Sequence, residues 1–256
     1  MKYTLMLFLV AAVIFFGMIL FQEAGRRIGA SRLAQGRKTS GTGAMEGAVF
    51  ALLGLLIAFT FSGAAARFDE RRARIVEEAN DIGTAYLRID LLEQEDQPAL
   101  RELFRAYLDS RIETYSNITD IDAAMATLAK SAKLQGDIWT RAVTACRRQG
   151  NPATTSLLLS ALNSMIDIVT TRTMSTKMHP PEIIFGLLFG LSLGCALLAG
   201  YNMADAKGSN WAHMIGFAAI MAVTFYVILD IEYPHLGLIR VDAFNEVLIA
   251  LRASMN

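Results

Sequence analysis

Gly47-Ala48-Val49-Phe50-Ala51-Leu52-Leu53-Gly54-Leu55-Leu56-Ile57-Ala58-Phe59-Thr60-Phe61-Ser62-Gly63-Ala64-Ala65-Ala66 carries no charge over twenty residues and runs directly into Arg67-Phe68-Asp69-Glu70-Arg71-Arg72-Ala73-Arg74-Ile75. The first part is long enough to cross a bilayer core of about 30 Å as a helix. The second part, residues 67–92, is charged and amphipathic. No proline interrupts residues 46–92. One row of spacing seven passes through both parts: Gly47, Gly54, Phe61, Phe68, Ile75, Ile82, Ile89. A seven-residue repeat held this long is the pattern of a helix packed along its length against others. The stretch reads as one helix, roughly 70 Å at 1.5 Å per residue, leaving a membrane and continuing into water. Two helices joined at Ser62-Gly63 is the competing reading, because glycine costs helix stability.

Working outward, residues 3–21, 183–204 and 211–229 are also apolar and long enough to span. Charged residues still make up 19% of the 256, so part of the chain lies outside the bilayer. The expectation is an all-α membrane protein of four transmembrane helices with a helical extramembrane bundle. Residues 1–66 form a first hairpin, 67–181 the extramembrane domain, 182–230 a second hairpin and 231–256 a tail with a short amphipathic helix. Formal net charge is zero, which gives no field to attract nucleic acid or an acidic substrate. The first span lacks a small-x-small cleavage site and is read as retained.

Residues 22–45 read as a loop holding Arg26, Arg27, Arg32, Arg37 and Lys38, a topology signal or a surface for anionic headgroups. The first span alone places the middle domain outside; basic residues counted near all span ends place it in the cytoplasm. The middle domain shows helical periodicity throughout. Leu100, Leu103, Phe104, Tyr107, Leu108, Ile112 and Tyr115 make one face; Met125, Leu128, Ala132, Trp139, Val143 and Cys146 a second; Leu158, Leu162, Met165, Val169 and Arg172 a third. Gly150-Asn151-Pro152 ends one helix and caps the next. Asn117-Ile118-Thr119 fits a glycosylation sequon and is discounted. Asp242 is placed to cap a last helix with Phe244, Val247, Leu248 and Leu251 inward. Gly54 and Ala58 on the second span, with Gly186, Gly190 and Gly194 on the third, predict that these two spans pack closely on small residues.

No nucleotide, nucleophile-elbow or paired-cysteine motif occurs, and His179, His213 and His235 stand in no metal spacing. Neither an enzyme nor a cofactor is indicated. Asp230 and Glu232 are weak metal candidates at a membrane edge, against ordinary interfacial acids. The spans hold no Asp, Glu, Lys or Arg deep in hydrocarbon. That disfavours a proton-coupled carrier and leaves room for a channel gated by an apolar constriction. Phe50, Ile57 and Phe61 are the constriction candidates, and Arg67, Arg71, Arg72 and Arg74 the candidate charge ring at one mouth. The competing reading turns the Phe and Ile toward lipid and lets the arginines snorkel. Phe68, Ile75, Ile82 and Ile89 form a stripe that would serve contacts between copies.

The runs Ala58-Phe59-Thr60-Phe61-Ser62-Gly63, Arg67-Phe68-Asp69-Glu70-Arg71-Arg72 and Glu77-Glu78-Ala79-Asn80-Asp81-Ile82-Gly83-Thr84-Ala85-Tyr86-Leu87-Arg88 resemble the bacterial bestrophin-like membrane proteins. So does Leu229-Asp230-Ile231-Glu232-Tyr233-Pro234 with Gly237-Leu238-Ile239-Arg240. The resemblance covers nearly the whole chain. It extends distantly to bestrophins, pentameric anion channels whose second span carries an apolar neck. It implies a homo-oligomer, a pentamer for preference, that sits in the inner membrane of a bacterium, conducts small inorganic ions and keeps its middle domain cytoplasmic. Two departures stand out: Ala65 replaces a third bulky neck residue, and a dense acidic calcium clasp is missing. Polar residues of Glu77-Glu78-Ala79-Asn80 would either bond between copies or be solvated. The alternative function is a non-conducting scaffold or envelope sensor whose helical domain binds a partner.

Overall fold

The computed structural model describes residues 2–36, 43–116, 121–205, 211–234, 238–239, 241 and 245–255. Arg37, Lys38, the Asn117-Ile118-Thr119 sequon, Lys207, His235, Gly237, Arg240, Asp242 and Phe244 lie outside the described residues. The chain is helical, with no strand among the described residues. The helices are α1 (Lys2–Ala34), α2 (Gly43–Leu87), α3 (Gln97–Ser116), α4 (Ile121–Gln149), α5 (Pro152–Lys177), α6 (Glu182–Asn202), α7 (Trp211–Glu232) and α8 (Glu246–Ser254). α1, α2, α6 and α7 each carry a stretch apolar and long enough to cross a membrane. α2 is one unbroken helix of 45 residues, so Gly63 does not divide it.

Two compact units form: Met1–Ala66 with His179–Ile239, and Arg67–Met178 with Arg240–Asn256. Both apolar hairpins thus belong to one membrane unit, and α8 joins the extramembrane unit rather than forming a separate tail.

In the membrane unit, α1 runs parallel to α6 and antiparallel to α7. Gln22 on α1 is buried and donates through Nε2 to the Met214 carbonyl at 3.4 Å, while Phe8 meets Tyr226 at 5.0 Å. Residues 22–34, expected as loop, continue the helix. Their charges are spaced for it: Glu23 accepts from Arg26 at 2.8 Å and from Arg27 at 2.7 Å, one turn along the same face. The glycines of this extension make a close backbone contact with α6. A Cβ on Gly25 would lie 1.9 Å from the Leu197 carbonyl oxygen, and one on Gly200 would lie 1.8 Å from that of Gln22. Gly186, Gly190, Gly194 and Gly54 have nothing within 4 Å of a Cβ position. The expected packing of the second and third spans on these glycines is therefore corrected. α6 uses its other end, at Gly200, to approach α1. α2 meets α6 through Val49 and Cys195 and meets α7 through Phe50 and Phe217, 6.1 Å between ring centres.

In the extramembrane unit, Gly150 at φ +66 ends α4, and the Asn151 side chain caps α5 by accepting from the Ala153 and Thr154 backbone N–H groups at 3.0 and 3.3 Å. The core gathers Ile82, Ala85 and Ile89 with Leu100, Phe104, Tyr107, Leu108, Ile138, Leu158 and Leu162. The second half of α4 turns its expected face inward, with Cys146 in the core and Trp139 packed against it, while the first half buries polar residues instead. Met125 is 62% exposed, while Thr127, Ser131, Gln135 and Ile138 are buried. Polar partners on α3 are the reason: Ser110 and Ser131 hydroxyls bond at 2.8 Å, and Gln135 donates to the Tyr107 hydroxyl at 3.1 Å. Gly83 leaves room for Leu251 of α8, whose methyl lies 3.3 Å from where a Cβ would be.

Candidate functional site

α2 was expected to carry the constriction, and its sides differ sharply. In the membrane unit, Phe50 and Ile57 are half-buried against the α6–α7 core, whereas Phe61 is 43% exposed. Of the three constriction candidates Phe61 is the one the chain's own packing leaves exposed. Ala51, Leu55, Ala58 and Ser62 form an exposed row at helical spacing beside it. In the extramembrane unit, α2 and the turn after it expose a row of the same period: Asp69, Ala73, Val76, Asn80, Thr84, Leu87, Leu91. Past Asp69 this row has no charge, which is unusual for a helix face left to water.

The opposite side of α2 is packed. Ile75, Ile82 and Ile89 are 2%, 0% and 0% exposed and Phe68 is half-buried. Of the Phe68–Ile89 stripe, expected to meet other copies, Ile82 and Ile89 lie in the core of their own chain and Ile75 is buried, while Phe68 is only partly covered.

The four arginines of the expected charge ring are also accounted for. Arg71 is buried and donates to the Ser175 and Met178 carbonyls at 3.2 and 3.0 Å, closing the C-terminal end of α5, where a cation is favoured by the helix dipole. Arg72 pairs with Asp69 at 3.2 Å; Arg74 pairs with Glu77 at 2.7 Å and Glu70 at 3.2 Å. Arg67 is half-buried and engaged as well. Within one chain these charges are engaged by the helix and its neighbours, Arg72 and Arg74 in partly exposed pairs.

Glu78 is the residue whose place was least foreseen. It is wholly buried between two guanidiniums that are themselves buried, Arg111 of α3 and Arg172 of α5. Arg111 Nε donates to Oε1 at 2.5 Å, and Arg172 Nη1 donates to Oε2. Both guanidiniums lie over the Tyr115 ring, at 5.0 and 3.3 Å from its centre, and the Tyr115 hydroxyl donates to Oε2 at 3.3 Å. Arg172 Nη2 reaches Asn245 Oδ1 at 2.8 Å, tying in the segment before α8. Burial pushes the Glu78 carboxyl up, but the two guanidiniums outweigh it and hold the group below the ordinary carboxylate value. Burial pushes the Tyr115 hydroxyl well above the ordinary phenol value. Arg111 Nη1 is buried with no hydrogen-bond partner. The cluster keeps one positive charge more than it neutralises.

Asp230 and Glu232, the weak metal candidates, serve separate partners. Asp230 accepts from the Leu238 and Ile239 N–H groups at 2.9 and 3.1 Å. Glu232, wholly buried, bonds His179 Nδ1 at 2.9 Å, and His179 stacks on Tyr233 at 4.5 Å. Among the described residues no three His, Cys, Asp or Glu converge as metal ligands do.

A sequence profile of the Bestrophin-like domain matches residues 9–243. The chain belongs to that family. No curated protein and no solved structure matches it. Within this bestrophin-like chain, the run Glu77-Glu78-Ala79-Asn80 divides by helix phase: Glu77 and Asn80 face outward, while Glu78 and Ala79 are buried. The signal that could have located the Glu78 partners was present. Arg111 lies between the apolar positions Leu108, Ile112 and Tyr115, and Arg172 continues the Leu158-Leu162-Met165-Val169 row. A charge on an apolar stripe asks for a buried counter-charge.

Proposed function

We propose that this bestrophin-like protein is a homo-oligomeric ion channel of a bacterial inner membrane, organised around α2. It is non-enzymatic, without a cofactor, and pentameric by analogy with bestrophins. The observation that carries the reading is the outward face of α2 in each unit. In the membrane unit that face is uncharged, with Ala51, Ala58 and Ser62 beside the larger Leu55 and Phe59, and the chain's own packing leaves it uncovered. In the extramembrane unit its continuation past Asp69 is uncharged as well. Copies meeting along such faces would enclose a narrow, weakly polar path. Phe61, on the edge of the exposed arc, supplies the constriction, which conducts by wetting and dewetting. Because Arg71, Arg72 and Arg74 are engaged, anion preference draws no support from them and rests on the family analogy.

Ion flux from proteoliposomes holding the purified protein tests this, with chloride, sodium and potassium gradients imposed separately. Phe61→Ala is expected to raise flux several-fold. Equal flux in wild type and variant sinks the neck, and no flux from folded, oligomeric protein sinks the channel.

One observation favours the second reading, a scaffold whose helical domain binds a partner. Between α4 and α5 the extramembrane unit has a groove of about 280 Å³, lined by Leu128, Ala132, Ile166, Val169 and Met174 with the Gln135 amide. Recovery of a stable partner together with absent flux would select it.

A further inference from the structure

α1 and α6 meet backbone to backbone at Gly25, Gly29 and Gly200. At the other end of the same pair they part, and α7 does not close the gap. An apolar crevice of about 600 Å³ opens between the three helices. Leu7, Ile14 and Phe225 are its buried floor, and Phe185 and Phe189 line its side. Helices that approach to van der Waals contact at one end lose dispersion energy wherever the other end stays empty. Within a bilayer the filler at hand is hydrocarbon. The volume lies inside the range of roughly 300–1,000 Å³ for sites that enclose a small molecule.

The crevice has one polar end. Glu182, the first residue of α6 and exposed, and Tyr233, just past α7, complete the lining there. The Tyr233 ring is held by stacking on His179, which is anchored in turn on buried Glu232. Among the described residues that line the crevice none is Lys or Arg. An acid beside an aromatic face complements a primary ammonium, which pairs with the one and lies over the other. It repels a headgroup whose net charge is negative.

We infer that this crevice binds an acyl chain of an amine-headed phospholipid, with the ammonium held between Glu182 and Tyr233. The site is independent of whether the protein conducts. The test is native mass spectrometry of the full chain released from detergent, titrated with phosphatidylethanolamine and with phosphatidylglycerol of identical chains. Wild type is expected to retain one phosphatidylethanolamine per chain, with a preference over phosphatidylglycerol on the order of fivefold. Glu182→Gln brings the two lipids to near parity. Val10→Trp, which fills the crevice, lowers retention of both. Should Val10→Trp not fold, the exposed Glu182→Gln still decides the headgroup. Equal retention of the two lipids by wild type, a preference unchanged in Glu182→Gln, or no retained lipid would each overturn the inference; the first would leave only the ordinary lipid shell, and the second would place headgroup selection away from Glu182.

Discussion

Glu78 of α2 and Arg111 of α3 form an ion pair at 2.5 Å with both side chains sealed from solvent. A pair like this contributes little net stability over an apolar substitute, because desolvation offsets the attraction. Removing one partner is a different matter, since the other charge is stranded. Glu78→Gln leaves two buried guanidiniums unneutralised and is expected to cost on the order of 3–5 kcal/mol. Glu77→Gln, one residue earlier on an exposed face, is expected to change stability by less than about 0.5 kcal/mol. Denaturant unfolding of the purified protein separates the two; equal losses would refute the buried-cluster account.

The same cluster sets a pH dependence. The folded Glu78 carboxyl titrates below its ordinary value of 4.5, so on acidification the unfolded chain takes up the proton first. The stability that Glu78 supplies is complete above that value and is lost as pH falls below it. At the alkaline end the sign reverses. Tyr107 and Tyr115 are pushed above the ordinary phenol value of 10.0 by burial. Unfolded tyrosines then ionise first, and stability falls as pH rises past that value. Unfolding midpoints across both ranges check this; a flat acid limb would contradict the role given to Glu78.

Helix contacts in the membrane unit separate two sets of glycines. Gly200→Ala places a methyl 1.8 Å from a backbone oxygen, so α1 and α6 must move apart; overpacking of this kind costs about 1–3 kcal/mol or more. Gly190→Ala meets nothing within 4 Å in its own chain and is expected to leave the melting temperature of the isolated chain unchanged. Thermal stability in detergent reports both. If Gly190→Ala instead destabilises as much as Gly200→Ala, the assignment of the close contact is wrong.

The outward row of α2 is open to chemical mapping because the native Cys146 and Cys195 are both buried. In membranes, Asn80→Cys is expected to react with a maleimide, or to form a disulfide between copies on mild oxidation. Ile82→Cys, wholly buried in its own core, is expected to do neither. Cross-linking that requires position 80 would support copies meeting along this face, and reactivity at 82 alone would reverse the phase of the helix.

Much of the architecture can be read from the amino acids because period and length dominate it. The uncharged run 47–66 and the Ile75-Ile82-Ile89 repeat specify a helix that changes environment part-way. Where sequence and structure part, the physical origin is shared: polar residues take inward positions that the apolar pattern does not mark. The apolar run of α1 ends at Phe21, where Gln22 and Glu23 follow, yet the helix continues because Glu23 pairs along it and Gln22 is buried. Gly25-x-x-x-Gly29 has the same spacing as the α6 glycines but lies beyond the apolar run, among charges that read as loop. The first half of α4 departs from its apolar pattern because Thr127, Ser131 and Gln135 are buried through hydrogen bonds, not through hydrophobicity. Glu78 was hidden for the same reason, inside a charged run on which an acid looks ordinary.

Arg111 and Arg172 grip Glu78 from two different helices, and this has an azimuthal consequence. A cylinder packed only by aliphatic contacts can roll by part of a turn at small cost, because one greasy side chain substitutes for another. A carboxylate keyed between two guanidiniums cannot roll, since successive helix positions are about 100° apart and any rotation pulls the charge away from both countercharges. In this unit the key therefore fixes the bearing of the helix about its own axis, and with it the direction in which Val76, Asn80, Thr84 and Leu87 point.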